Sequence, residues 1–260
     1  MSGSLLDSVP LWLVFVLTML LVVLAVESGF HIGVIRARRS EHERNAPIDA
    51  MVGSTLGLLA FMLAFTFGMA NTRFDARKQF VIDEAVAIRA ADLRAQLLPD
   101  PFRRDIRALL LQYVDVRLAG ALNPRQVKPA MERSEKLHEL LWLRVADVPA
   151  PDRGGIAAAV ADLIGLHTKR VNAAIHNRIH DSIWIALYGL VALAMGIVGY
   201  GAGISGRHSI IAITALALAF SVVLLLIVDL DRPQEGLINV SQQAMVDLQR
   251  KLRSRDPPVR

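Results

Sequence analysis

The chain has 260 residues, of which 53% are hydrophobic, with a mean hydropathy of +0.42, a formal charge of +5 and no cysteine. Such a hydrophobic share is high for a soluble protein and puts membrane spans first among the architectures to test. The missing cysteine excludes disulfides, thiolate metal sites and cysteine nucleophiles. The positive charge does not point to nucleic acid, because 18 Lys+Arg are interspersed with 14 Asp+Glu between residues 71 and 182. That mixture suits a solvated helical surface, with contact to anionic lipid headgroups as a second use.

Four windows contain no Asp, Glu, Lys or Arg: 9–26, 50–70, 183–206 and 209–228. Each approaches or exceeds the roughly 18–20 apolar residues that cross a hydrocarbon core of about 30 Å. The expected fold is therefore all-α and polytopic, with four transmembrane helices at 9–26, 50–70, 183–203 and 209–228. A helical extramembrane domain at 71–182 separates the second and third, and a polar tail occupies 229–260. The first window reads as a retained span rather than a signal peptide. "MSGSLLDSVP" lacks a basic residue, and "LAVESGF" is a poor cleavage site.

From "GLLAFMLAFTFGMANTRFDARKQF", 57–80, the chain passes from hydrocarbon to charge with no proline, and Gly68 is the last glycine. One helix of more than forty residues, starting near Ala50 and reaching Leu97, is expected. Phe74, Val81, Ile88 and Ala95 recur at seven-residue spacing, with Ala85 and Leu98 widening the stripe. "LPDPF" ends that helix. Further helices are expected at 102–119 and 125–145. Another starts near Ile156 and continues through Ser182 into the third span.

Several patterns resemble chemistry. "GAGISG" at 201–206 matches G-x-G-x-x-G. The dinucleotide reading needs a strand before it and a phosphate-binding helix after it, whereas spans flank it here. Its glycines are read as a tight turn, and Gly199 with Gly203 as a site of close helix packing. His176 and His180, four apart, share one helix face and are weak metal-ligand candidates, with His167 and Asp162 able to lie nearby. The bland reading is that they decorate the water interface below the third span. Asp229, Asp231 and Glu235 gather at the mouth of the fourth span. They read as interface charges at a helix end, or as a cation site or charged vestibule. No nucleophile elbow or comparable signature frames the serines and aspartates, so neither an enzyme nor a cofactor is expected.

Three passages, "GLLAFMLAFTFGMANTRFDARKQFVIDEAVAI", "RAADLRAQLLPDPFRRDIRALLLQYVDVRL" and "VDLDRPQEGLINVSQQAMVDL", together resemble the bacterial bestrophin-like domain family. These membrane proteins carry no established activity and are distantly similar to bestrophin anion channels. The likeness runs from about Ala50 to Leu248. The resemblance implies a multi-pass protein of the bacterial inner membrane, homo-oligomeric and by analogy pentameric, passing inorganic anions along a pore lined by span two. A bestrophin neck has three apolar residues at successive turns of that span. Phe61 and Phe65 match two of them, and Gly57 or Met69 stands at the third. An acidic calcium-binding run follows span four in bestrophins, and Asp229, Asp231 and Glu235 are a thinned version of it. Orientation signals oppose each other. The loop "RARRSEHER" carries four arginines against none in residues 1–10, which places the domain outside the cytoplasm. The resemblance places it inside, in agreement with Arg73, Arg77, Lys78, Lys169, Arg170 and Arg178. The competing function is a non-conducting scaffold or sensor whose domain binds a protein or lipid.

Overall fold

The computed structural model describes residues 9–39, 48–175, 179–206, 208–232 and 236–254. Among them are eight α-helices and no strand, as the charge-free windows and helical periodicities predict. They are α1 (Leu11–Arg39), α2 (Ile48–Ala95), α3 (Phe102–Leu122), α4 (Val127–Ala146), α5 (Ala150–Ile175), α6 (Asp181–Ser205), α7 (Ile210–Asp231) and α8 (Gln243–Ser254). Four of them, α1, α2, α6 and α7, are long and apolar enough to cross a membrane. The chain divides into two compact units, and α2 contributes to both, with the division falling between Arg73 and Phe74.

In the first unit α1 packs against both α6 and α7. Glycines set the distance between α1 and α6. A β-carbon added at Gly199 would overlap the Val26 carbonyl, and one at Gly29 would overlap that of Gly196. In lipid there is little hydrophobic drive between helices, so close backbone approach over small residues supplies the attraction. The hydroxyls of Thr18 and Tyr188, 3.1 Å apart, add a polar tie across the same pair.

Two sequence expectations are corrected here. "GAGISG" is not a turn throughout: α6 runs to Ser205, and only Gly206 turns, with φ 67° in the left-handed region. Glycine does not break a helix inside a span, because a backbone group without its hydrogen bond has no water to turn to. Nor does α5 continue into the third span. Residues 179 and 180 are non-helical, with His180 at φ −65°, ψ 141°. The Ile179 N–H donates to the Asp231 carboxylate at 3.1 Å, so a side chain from another helix takes the place of a helical carbonyl.

The second unit is a helical bundle. The heptad residues Val81, Ile88 and Ala95 are buried, as are Ala85 and Leu98. They pack with Ile106, Leu110, Leu141 and Leu163 from the following helices. The segment read from sequence as a polar tail supplies a further element. α8 buries Met245, Leu248 and Leu252 in this same core. Their spacing of three and four residues lines one face of a helix.

Two measurements check this packing. Gly199→Ala should cost about 1–3 kcal/mol or prevent accumulation of the protein. Gly201→Ala should cost less, because its nearest neighbour is the Ile48 Cγ2 methyl at 3.0 Å. The comparison is read as melting temperature in detergent. Leu248→Ala should destabilise the bundle by about 2–5 kcal/mol, read as the midpoint of chemical unfolding. A wild-type midpoint would show that α8 is not part of the core.

Candidate functional site

Within the apolar half of α2, Leu59, Leu63, Thr66 and Ala70 are buried. At 100° per residue these four share one face, and Phe61 and Phe65 fall on the opposite one. Phe61 is 66% exposed and Phe65 57%, so neither ring is packed against its own chain. The two rings stack on each other, with centroids 6.5 Å apart and planes at 17°. Gly57 is exposed on one flank of this pair, and Met69 is half-buried on the other. The result is a helix with an inner face joined to its own subunit and an outer aromatic face free to meet lipid, another subunit or a water-filled space.

At the end of α7, Asp229 and Asp231 are buried. Asp229 accepts hydrogen bonds from the backbone N–H groups of Leu237 at 2.6 Å and Ile238 at 2.9 Å. A β-carbon at Gly236 would lie 2.5 Å from its Oδ1, so glycine is what lets the chain pass. Asp231 accepts from the Ile179 N–H and pairs with Arg73 at 3.6 Å. Both carboxylates thus face hydrogen-bond donors, and a cation there would have to displace them. Glu235 and His176 lie outside the described residues. His180 is exposed at the start of α6, its Nδ1 3.2 Å from the Ser182 hydroxyl. Among the described residues no three His, Asp or Glu side chains come together as a metal site.

A third cluster lies in the helical bundle and has no counterpart in the sequence expectations. Glu84 of α2 is fully buried. The Tyr113 hydroxyl donates to its Oε1, and Arg170 donates to its Oε2. Arg117 Nε lies 3.2 Å from Oε1. His167 Nδ1 stands 3.0 Å from the Tyr113 oxygen, and the His138 ring lies 4.8 Å from that of Tyr113 and 4.6 Å from that of His167. Arg170 reaches on to Gln242 at 3.2 Å. Burial opposes ionisation of Glu84. The nearby His167, the Arg170 and Arg117 guanidiniums and the Tyr113 hydrogen bond outweigh it and hold the carboxyl well below the usual carboxylate range. His167 therefore joins Glu84 rather than Asp162, which is exposed. The sequence did carry a signal. Glu84 falls between Val81 and Ile88 on the apolar stripe of α2, where a charge has to find partners once buried.

Four apolar helices, two before and two after the helical bundle in sequence, define a multi-pass membrane protein. The family model described as the Bestrophin-like domain matches residues 16–245, and the chain belongs to that family. No curated protein and no solved structure matches it.

Asp229→Ala should remove two charge-assisted hydrogen bonds from the N–H groups of Leu237 and Ile238, at about 1.5–3 kcal/mol each or less where water replaces the carboxylate. The melting temperature should fall by several degrees, and Asp229→Asn, which keeps one acceptor oxygen, should recover part of the loss. An unchanged melting temperature in Asp229→Ala would show that these bonds contribute nothing.

Proposed function

We propose that the protein is a homo-oligomeric channel for inorganic anions, with α2 of each subunit at the pore and Phe61 and Phe65 forming its apolar constriction. The observation that carries this reading is the division of α2 into a packed face and an outward aromatic face. A pore built from one helix per subunit requires a closed ring, in which each subunit turns one helix face to the axis. Stacked phenyl rings on that face narrow the passage and expel water from it, so that small changes in radius open or close it by dewetting. Gly57 and Met69 extend the lining above and below the rings. The helix continues into a charged bundle, which gives the constriction a lever in water. Membership of the bestrophin-like family supports the reading, and resemblance to bestrophins makes five subunits the expected number. On this reading Asp229 and Asp231 belong to a charged vestibule.

Rings in a span that simply face lipid would also be exposed in a single subunit, and a non-conducting scaffold would carry them in that way. Reconstitution separates the two. Phe61→Ala with Phe65→Ala should raise chloride flux into liposomes several-fold over wild type, with the oligomer intact by size in detergent. Flux at the empty-liposome level for both proteins across a range of pH and calcium, or a monomeric protein, would leave the scaffold.

A further inference from the structure

We propose that His138, packed edge to face against His167 in the bundle beside Arg117 and Arg170, forms an acid-sensitive lock, closed while its imidazole is neutral and opened at α4 when it takes up a proton. The proposal is independent of whether the protein conducts.

The lock is assembled from four helices: Glu84 on α2, Tyr113 and Arg117 on α3, His138 on α4, and His167 and Arg170 on α5. His138 is 6% exposed and His167 4%. The Nε2 atom of each is buried and has no hydrogen-bond partner. Hydrogen bonding fixes the tautomer of His167. The Tyr113 hydroxyl spends its proton on Glu84, so its oxygen accepts from His167 Nδ1–H, and Nε2 holds a lone pair. Burial and the neighbouring Glu84 raise the Tyr113 phenol well above its ordinary range, so it stays a neutral donor. A bare lone pair costs less to bury than a charge. A proton added to His138 would leave a buried imidazolium whose Nε2–H has no acceptor.

Charge counting gives the same result. Two guanidiniums and one carboxylate leave the cluster at +1 (2 − 1) while His138 is neutral, and protonating it raises the cluster to +2. Glu84 cannot absorb the added charge. Its Oε1 already serves Tyr113 and Arg117 and its Oε2 serves Arg170, while His167 Nδ1 lies 3.8 Å away. Among the described residues His138 meets this cluster through ring contacts, with Tyr113 and with His167. α4 is therefore the element that acid releases.

The direction in pH follows. Burial, and then the adjacent His167, lower the His138 imidazole from 6.5 to about 4. The open form, with an ordinary imidazole, binds the proton first. The closed form is fully favoured above pH 6.5, loses ground as pH falls, and levels off below about 4. Between pH 7 and pH 5 the closed-to-open ratio should drop about 20-fold from His138 alone. Glu84 begins to contribute only further down, since its carboxyl is held below the usual range.

Amide hydrogen exchange on the full-length protein in detergent, corrected for the intrinsic pH dependence of exchange, tests this. Peptides covering Val127–Ala146 should lose about 20-fold protection between pH 7 and pH 5, while peptides from α6 should not change. His138→Phe fills the space without a titrating group and should keep most of that protection at pH 5. If His138→Phe fails to fold, His138→Gln makes the same comparison. Wild-type protection that does not fall by pH 5, or a variant with the wild-type profile, overturns the proposal.

Discussion

The structure depends on α2 remaining a helix after its apolar half ends. Up to Ala70 the bilayer enforces helicity, because an unpaired backbone group in hydrocarbon has nothing to bond. From Asn71 onward water competes for every N–H and C=O, and an isolated amphipathic helix is only marginally stable. What holds α2 together there is the stripe Val81, Ile88 and Ala95 against the helices that follow it. The charged half of α2 and the bundle thus stabilise one another. This is also why no proline or glycine stands between Met69 and Leu98.

Glu84 sits on that stripe at a position where an apolar residue would pack without electrostatic cost. A buried carboxylate loses several kcal/mol of solvation, and ion pairs repay it only when every oxygen is engaged. Here both are, by one tyrosine and two arginines from α3 and α5. The cluster therefore contributes less to stability than to register. A shift of α3 or α5 by one residue against α2 would leave a buried charge unpaired. Apolar contacts between Leu, Ile and Ala would not penalise such a shift so heavily.

The spans were legible because charge is excluded from hydrocarbon at about 2.5–3.5 kcal/mol per residue, which leaves charge-free gaps visible in the sequence. The forty-eight-residue α2 was legible for a related reason: nothing in it interrupts a helix, and its heptad stripe persists into the charged half. Less was visible where tertiary contacts decide. Glu84, Tyr113, His138 and His167 lie far apart in sequence, and a mixed-charge surface gives no hint which charges turn inward. α8 is only twelve residues long, with Lys251 and Arg253 in its last turn, and its polar composition hid the apolar face of Met245, Leu248 and Leu252. The "GAGISG" glycines misled because glycine signals a turn in water and close packing in lipid. Phe61 and Phe65 were visible as a pair one turn apart, but the face they occupy became known only from which neighbours are buried.

The aspartates at the end of α7 show how a feature of local sequence can run against local electrostatics. The C-terminus of a helix carries the negative end of its dipole, so Asp229 and Asp231 occupy the wrong end for acidic side chains. Burial makes the placement costlier still. It is compensated by three backbone N–H groups, of Ile179, Leu237 and Ile238, and by Arg73. Asp229 binds the chain that follows α7, and Asp231 binds the start of α6 and the charged end of the apolar half of α2. The two carboxylates tie together three segments where each leaves its span. Backbone N–H groups of the non-helical segments at this boundary find acceptors there. The requirement to satisfy those groups is enough to account for buried acids at the mouth of the last span. A vestibule or cation role would have to be built on carboxylates already engaged in holding the chain.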